Sequence, residues 1–565
     1  MTSRLALGAL GAILAGALAL RLVSIDHGLP YVFNADEELH FVSIAVRMLE
    51  DGTLNPRYFE NPPAITYLFY LLFKLRFGVG FPFGASSFVR DFHHDPEAAY
   101  VLARVTVALI GTLVAGLAYW AGSRFYGRRV GLLAAALLAF TFLPVFYSKH
   151  ALNDVVTLAP VTVGLVACLL VWQRGRWYDW ALAGGAIGAA TATKYTAGAM
   201  LLALGVAVLW RLLEQRSTPR QALLGLAGAG AVFCAVFFVL NPFALFDAGT
   251  FRSQIGGQSG QASNAKLGQD DVPGWIYYLW TLTWGFGWVP ALAALAGGVL
   301  AWRDDRRRAL LLLAFPAFLF LFLGAQGRFF ARWLLPTYPM LAILASYAAV
   351  RAVDWAADRA GAARAERRAG SAGRLALSRR RGWLLALAGV LLVVQGAAAS
   401  VRLDATLGRE DTRVIARDWL ERNVPLGSRV VVEPFVPDGF LGRGGLDGEP
   451  MYDRWPVRRP FQAYEKKLSP GLIDRYRAGG YCWVVTGSHQ KQRGLKAGLE
   501  NARAYYDRLA AESEEAITIS PFHAWSEGVE FNFDWSFDYY PRDYQRPGPV
   551  VEIHRLADCE PGREA

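Results

Sequence analysis

Charge is scarce in the long apolar stretches of this chain. They run 15–20 residues with almost no charged side chain, and neither the 3.6-residue nor the 2-residue alternation of a soluble fold interrupts them. No Asp-x-Asp pair is present to hold the metal of a nucleotide sugar, and there is no P-loop; "GGQSGQ" at 256–261 follows no strand. The 4 cysteines lack metal-site spacing. No segment is duplicated, as transporter halves tend to be. These absences argue in turn against a soluble protein, a nucleotide-donor transferase, a zinc protein and a repeat-built carrier.

What is there is apolar and aromatic: of 565 residues, 54% are hydrophobic, 13% aromatic and 19% charged. Runs of this length suit a bilayer core about 30 Å thick. The sequence therefore predicts a polytopic α-helical membrane protein with eleven spans, near 5–22, 101–121, 130–147, 154–172, 180–193, 196–212, 221–240, 284–302, 309–325, 333–351 and 383–400. Alternate loops carry the arginines: Arg124, Arg128 and Arg129, then Arg174 and Arg176, then Arg211, Arg216 and Arg220, then Arg303 with Arg306 to Arg308, and nine more between 351 and 382. That bias makes these loops and the N-terminus cytoplasmic, and leaves 23–100, 241–283 and everything after 401 outside. It also accounts for most of the +11 net charge, so nucleic acid is not an expected partner. The stretch "ITYLFYLLFKL", 65–75, is too short to span and reads as an interfacial or re-entrant helix. "ALA" at 17–19 suits a signal peptidase, although an uncleaved anchor gives the same topology.

The composition changes near residue 403. Turn residues, the helix-like "DTRVIARDWLERNV" and the β-branched "SRVVVE", "YCWVVTG" and "PVVEIHRL" predict an extracytoplasmic α/β domain over 403–565, beyond a membrane domain over 1–402. Cys168 and Cys234 fall within spans as small apolar residues, while Cys482 and Cys559 lie on the oxidising side and can pair.

Against this background "NADEELHF", 34–41, places three consecutive acids directly after the first span. A helix over 35–50 would align Asp36, His40, Ser43 and Arg47 on one stripe, with Leu39, Val42, Val46 and Leu49 roughly opposite, flat on the membrane surface. Asn34 can cap that helix, with Glu37 at its third position in a capping box. Capping accounts for one or two acids. A third at a surface of anionic head groups suits a general base, a role worth about 10²- to 10⁴-fold in rate. A lipid-phosphate sugar presents its anomeric carbon at this level, and its leaving phosphate would need nearby cations.

"NADEELHF" followed by "LNPRYFENPPAITYL" resembles the GT-C superfamily of polyprenyl-phosphate-dependent glycosyltransferases, in its protein O-mannosyltransferase and aminoarabinose transferase branch. "YSKHALNDVVTL", "TATKYTAGAML", "RFFARWLLPTYPML", "DTRVIARDWLERNVPLGSRVVVE" and "GPVVEIHRL" extend the likeness over most of the chain. The resemblance implies an inverting transfer in which an acid of the first external loop deprotonates the acceptor. That acid is Asp36, or Glu37, since "DEELHF" has one residue more than the relatives' pattern; the latter choice puts His40 where a phosphate-contacting residue is often found. It also implies that Asp154 lies near the site and that Arg332, before "LLP", contacts phosphate.

Lys194, at a turn between apolar segments, and Arg328, beside Arg332, are further candidate phosphate ligands. Asp154 reads equally well as an N-cap. His93 and His94 in "DFHHDPE" are a weak metal signal; no cofactor is assigned, and a divalent cation is left open. The aromatic run "GWIYYLWTLTWGFGW", 274–288, reads as an interfacial belt or as a platform for a sugar. The expected partners are a polyprenyl-phosphate-linked sugar, membrane lipid and a protein, lipid or polysaccharide acceptor. A lipid or oligosaccharide flippase, and an assembly subunit with a decayed site, are the competing readings.

Overall fold

The computed structural model describes residues 3–78, 86–365, 371–444, 450–459 and 468–560. Apolar helix formers build a bundle in which, among the described residues, nine helical stretches are long and apolar enough to cross a membrane. Each of the eleven expected spans falls on helix, but two are shorter than a simple crossing. Trp177–Thr193 has 17 residues, and the 130–147 stretch breaks at Thr141 into Arg128–Phe140 and Phe142–Tyr147. Pro144 explains that break. It has no N–H for the Phe140 carbonyl and its ring would collide with it, whereas the first turn of a new helix accepts it.

Close helix packing depends on small residues. A Cβ added at Gly297 would stand 1.9 Å from the Leu344 carbonyl oxygen, and one at Gly184 would stand 2.1 Å from that of Ala229. The backbones therefore approach as small-residue membrane interfaces allow. Outward faces carry exposed Val239, Leu295 and Trp383, the pattern of a lipid-facing surface.

The arginine-bearing loops meet at one end of the bundle. Arg129 pairs with Asp354 at 2.8 Å, Arg307 with Glu214 at 2.6 Å, and Arg308 donates to the Phe125 carbonyl. The opposite end gathers the first loop, the 241–273 stretch and the C-terminal region. There Asn55 donates to Asp247 at 3.0 Å, Tyr195 to the Phe59 carbonyl at 3.0 Å, and Tyr31 to the Gly444 carbonyl at 3.0 Å.

In the first loop the single helix expected over 35–50 does not form. Ala35–Leu39 and Val42–Glu50 are separate helices, with Phe41 at φ +46° between them. At the break Phe41 and Val42 are buried while Leu39 stays exposed. Asp36 and Arg47 accordingly share no stripe. Ala64–Arg76, 13 residues, buries Ile65, Phe69 and Phe73 and exposes Leu71 and Leu75; at about 20 Å it is too short to span.

Beyond the last long helix, Ser371–Leu407, lies a five-stranded sheet of β1 (Val430–Val432), β2 (Val457–Arg458), β3 (Trp483–Gly487), β4 (Ser513–Ile519) and β5 (Val551–Leu556). Its order is β2-β1-β3-β5-β4, with β1 parallel to β2 and β3, and β5 antiparallel to β3 and β4. The helix Thr412–Asn423 packs on it through Ala416 and Leu420. Cys482, just before β3, and Cys559, just after β5, form a disulfide. Cys168 is buried and Cys234 exposed, both in apolar helices.

Candidate active site

The three neighbouring acids diverge. Asn34 caps their short helix, its Oδ1 accepting from the backbone N–H of Asp36 and Glu37. The capping box is only half formed, because the Glu37 carboxylate turns away. It is fully buried, takes two bonds from Arg104 at 2.8 and 2.7 Å, and accepts the Ala151 N–H at 2.7 Å. Glu38 accepts the Asp438 N–H at 3.2 Å, at the start of the short helix Asp438–Gly442. Burial, then the Asp438 carboxylate, raises its carboxyl to about 7. Asp36 and Glu38 both line a large cavity; of the three acids Asp36 is the one paired there with Arg332, and its side chain keeps 43% of its surface exposed.

That cavity, about 480 Å³, lies between the bundle end, the first loop and the C-terminal region. It gathers Asp36, His40, Asp154, Lys194, Arg328 and Arg332 from four separate places in the sequence. Glu37 does not line it. Arg332, in the 3-10 turn Ala331–Thr337, donates through Nη2 to Asp36 Oδ2 at 2.6 Å. Burial works to raise the Asp36 carboxyl, but Arg332, followed by His40 and Lys266, outweighs it and holds it below the usual carboxylate range. Lys194, in an extended residue between Trp177–Thr193 and Tyr195–Met200, donates to Asp154 Oδ1 at 2.5 Å and to the Arg332 carbonyl at 3.4 Å. Asp154 does not cap: Leu152 holds the N-cap position, and Asp154 lies inside the short helix Asn153–Val156. His40 stacks on Tyr58 with centroids 4.8 Å apart and planes 18° off parallel. Burial lowers the imidazole, against the pull of Asp36 and Glu60.

The opposite wall comes from parts of the chain to which the sequence analysis gave no role. Lys266 rests on Phe330 and Phe533, and His489, Gln490 and Arg493 reach in from the Ser488–Lys496 helix after β3. Asp538 enters from the 531–540 stretch, its carboxylate accepting from Tyr147 at 2.6 Å; burial, then Asp534, raises its carboxyl well above the usual range. Asp534 anchors the same stretch by accepting the Ala331 N–H at 3.1 Å and a bond from the Tyr277 hydroxyl. The aromatic run 274–288 therefore has another task than stacking on a sugar. None of it lines the cavity; Trp280 and Trp284 pack on Trp535 and Tyr539 at 5.3 and 5.2 Å, while Trp275 and Trp288 are exposed.

His93 lies 3.7 Å from Glu50 in an exposed pair, and among the described residues no three His, Cys, Asp or Glu side chains gather as metal ligands. Arg104 was legible in principle, since a charge inside an apolar span is costly enough to mark a role. Lys266, in "SNAKLGQDD", carries no such signal.

Residues 17–248 match the family model described as dolichyl-phosphate-mannose-protein mannosyltransferase. None of the curated proteins compared matches the chain. Among solved structures, ArnT from Cupriavidus metallidurans bound to undecaprenyl phosphate aligns with a TM-score of 0.53 and 17% identity, over 98% of this chain and 99% of that one. The apo oligosaccharyltransferase of Archaeoglobus fulgidus aligns at 0.52 and 12% identity, over 92% and 74%. AglB from the same organism, in complex with an inhibitory peptide and a dolichol-phosphate, aligns at 0.51 and 13%, over 94% and 74%. The chain thus shares the fold of these membrane glycosyltransferase structures, and its first part matches the mannosyltransferase family model.

Proposed function

We propose that this chain moves a sugar, with inversion, from a polyprenyl-phosphate donor to an acceptor hydroxyl, and that Asp36 is the general base. The observation that carries the reading is that the part-exposed Asp36 carboxylate lies beside Arg332 and within the same cavity as Lys194. The undecaprenyl phosphate and dolichol-phosphate named for the Cupriavidus and Archaeoglobus structures support the donor class. In the orientation favoured by the arginine bias, the cavity opens outside the plasma membrane, with the N-terminus cytoplasmic and the sheet domain external.

The chemistry follows from the charges. Asp36 and Arg332 pair with each other. A lipid phosphate entering at the helix ends would bind Arg332 and Lys194 with charge-assisted hydrogen bonds. Sharing Arg332 in this way weakens its hold on Asp36 and raises that carboxylate's basicity. The acceptor hydroxyl then gives its proton to Asp36, its oxygen forms the bond to the anomeric carbon, and the bond to the phosphate oxygen breaks with its electron pair going to the phosphate. Arg332 and Lys194 stabilise the charge that develops there. Glu37 is a positioning residue that ties the first loop to Arg104. Because Asp36 and Asp154 are each matched to a cation, the scheme places the phosphate charge on protein side chains; transfer that persists after exhaustive chelation is the expected result.

The deciding experiment is sugar transfer from a polyprenyl-phosphate donor by the detergent-solubilised protein and its Asp36→Asn variant. An undiminished rate in the variant removes the base assignment. Export of a lipid substrate without transfer would favour the flippase reading.

A further inference from the structure

Cations in this cavity mostly have carboxylate partners. Arg104 is matched to Glu37, Lys194 to Asp154, Arg332 to Asp36 and Arg413 to Asp411. Lys266 and Arg328 are different: among the described residues neither forms an ion pair. Arg328 reaches only the Gln261 side chain, at 3.5 Å, and its Nε is buried without an acceptor. The Lys266 ammonium lies 5.3 Å from the Phe330 ring centre and 4.8 Å from that of Phe533.

Those two rings also carry other cations. Arg332 stands 4.4 Å from Phe330, and Arg493 stands 5.5 Å from Phe533. The result is a ladder across the cavity, Arg332, Phe330, Lys266, Phe533, Arg493, in which positive groups alternate with aromatic faces. Ring faces attract cations and let like charges be held near one another. They do not neutralise them, and a half-buried ammonium among guanidinium groups calls for an anion. Burial and then Arg493 lower the Lys266 amine to about 8, and the pull of Asp36 across the cavity only partly offsets them.

We propose that Lys266, with Arg328 and Arg493, forms a second anion subsite that seats a phosphate or carboxylate borne by the acceptor. The inference rests on the glycosyltransferase reading and narrows its acceptor class to anionic molecules. Position separates this subsite from the donor phosphate. Lys194 and Arg332 occupy the ends of bundle helices, the level at which the proposed donor would present its phosphate. Lys266 belongs to the stretch fastened to the sheet domain, where Arg493 donates to the Leu267 carbonyl at 3.3 Å and Lys496 pairs with Asp270. An acceptor arriving from the aqueous side meets this stretch first.

The test uses the full-length protein in detergent, saturated with undecaprenyl phosphate and titrated calorimetrically with glucose 6-phosphate, glucuronate and glucose. At least one anionic probe should bind tenfold or more tightly than glucose, and the better of the two identifies the preferred anion. Lys266→Met should abolish that advantage, Lys266→Arg should restore it, and both should bind undecaprenyl phosphate within twofold of the unaltered protein. If Lys266→Met unfolds, Arg328→Met is read in its place. Equal binding of all three probes overturns the proposal, as does a tenfold loss of undecaprenyl phosphate in Lys266→Met, which would make Lys266 a donor ligand. Failure of undecaprenyl phosphate to bind the unaltered protein would overturn the donor assignment instead, and the probe comparison in its absence would still decide the subsite.

Discussion

Arg332 and Asp36 are 296 positions apart in sequence and 2.6 Å apart in space. Their bond joins the first loop to the turn that starts one of the most buried helices of the bundle, and sets Asp36, of three adjacent acids, against a cavity guanidinium.

The two leading carboxylates should therefore fail in different ways when altered. Asp36→Asn should keep the melting temperature in detergent and lose about 10²- to 10⁴-fold in transfer rate. Glu37→Gln leaves Arg104 buried opposite a neutral group and should cost about 3–5 kcal/mol in stability. Thermal unfolding and initial rates measured on both variants check this. A stable, inactive Glu37→Gln beside an active Asp36→Asn would reverse the roles.

The pH profile gives an independent check. Arg332 holds the Asp36 carboxyl below its ordinary value, against the effect of burial. The base form is therefore present at neutral pH and is lost as pH falls through that lowered value. Removing the guanidinium with Arg332→Gln should move the acid limb of kcat/KM to higher pH, and Arg332→Lys should move it less. An acid limb unchanged in Arg332→Gln would mean that another group sets it.

Much of this was legible in the sequence, for identifiable reasons. Every expected span falls on helix because continuous apolar runs have few alternatives in lipid. The strands β1, β3 and β5 lie within the β-branched runs that announced them. By contrast, β4, "SEEAITI", is half acidic along its exposed positions and gave no such pattern. The break at Phe41 was hidden because local propensity favours one helix through "ADEELHFVSIAVRMLE", and nothing in that stretch marks the turn at Phe41. The candidate site was legible on its bundle side, where acids and cations stand out against apolar sequence. On the side of Lys266, Arg493 and Asp538 it was not, because a charge in a polar region has nothing to distinguish it.

The disulfide gives a stability prediction confined to the sheet domain. Cys482 and Cys559 are separated by 77 positions, so the bridge removes much of the unfolded chain's freedom. Replacing both with serine should lower domain stability by about 2–4 kcal/mol. Limited proteolysis should then cut first within 408–560, while the helical bundle stays protected.

Glycine packing predicts a contrast inside the bundle. Gly297→Ala places a methyl group against the Leu344 backbone, which cannot swing aside as a side chain can, and should destabilise by about 1–3 kcal/mol. Gly205→Ala meets nothing within 4 Å and, in the middle of a helix, should be neutral or slightly stabilising. Thermal aggregation of the two variants in the same detergent compares them directly.

The stretch around Asp534 and Asp538 lies far beyond the last long helix in sequence, yet it supplies a wall of the cavity and is fastened to Tyr147, Tyr277 and Ala331 of the bundle. A nascent chain that has already inserted all its helices still has an unfinished reaction chamber. A nascent chain cut short before residue 531 would thus hold its long helices yet leave the cavity around the Asp36–Arg332 pair open on one flank.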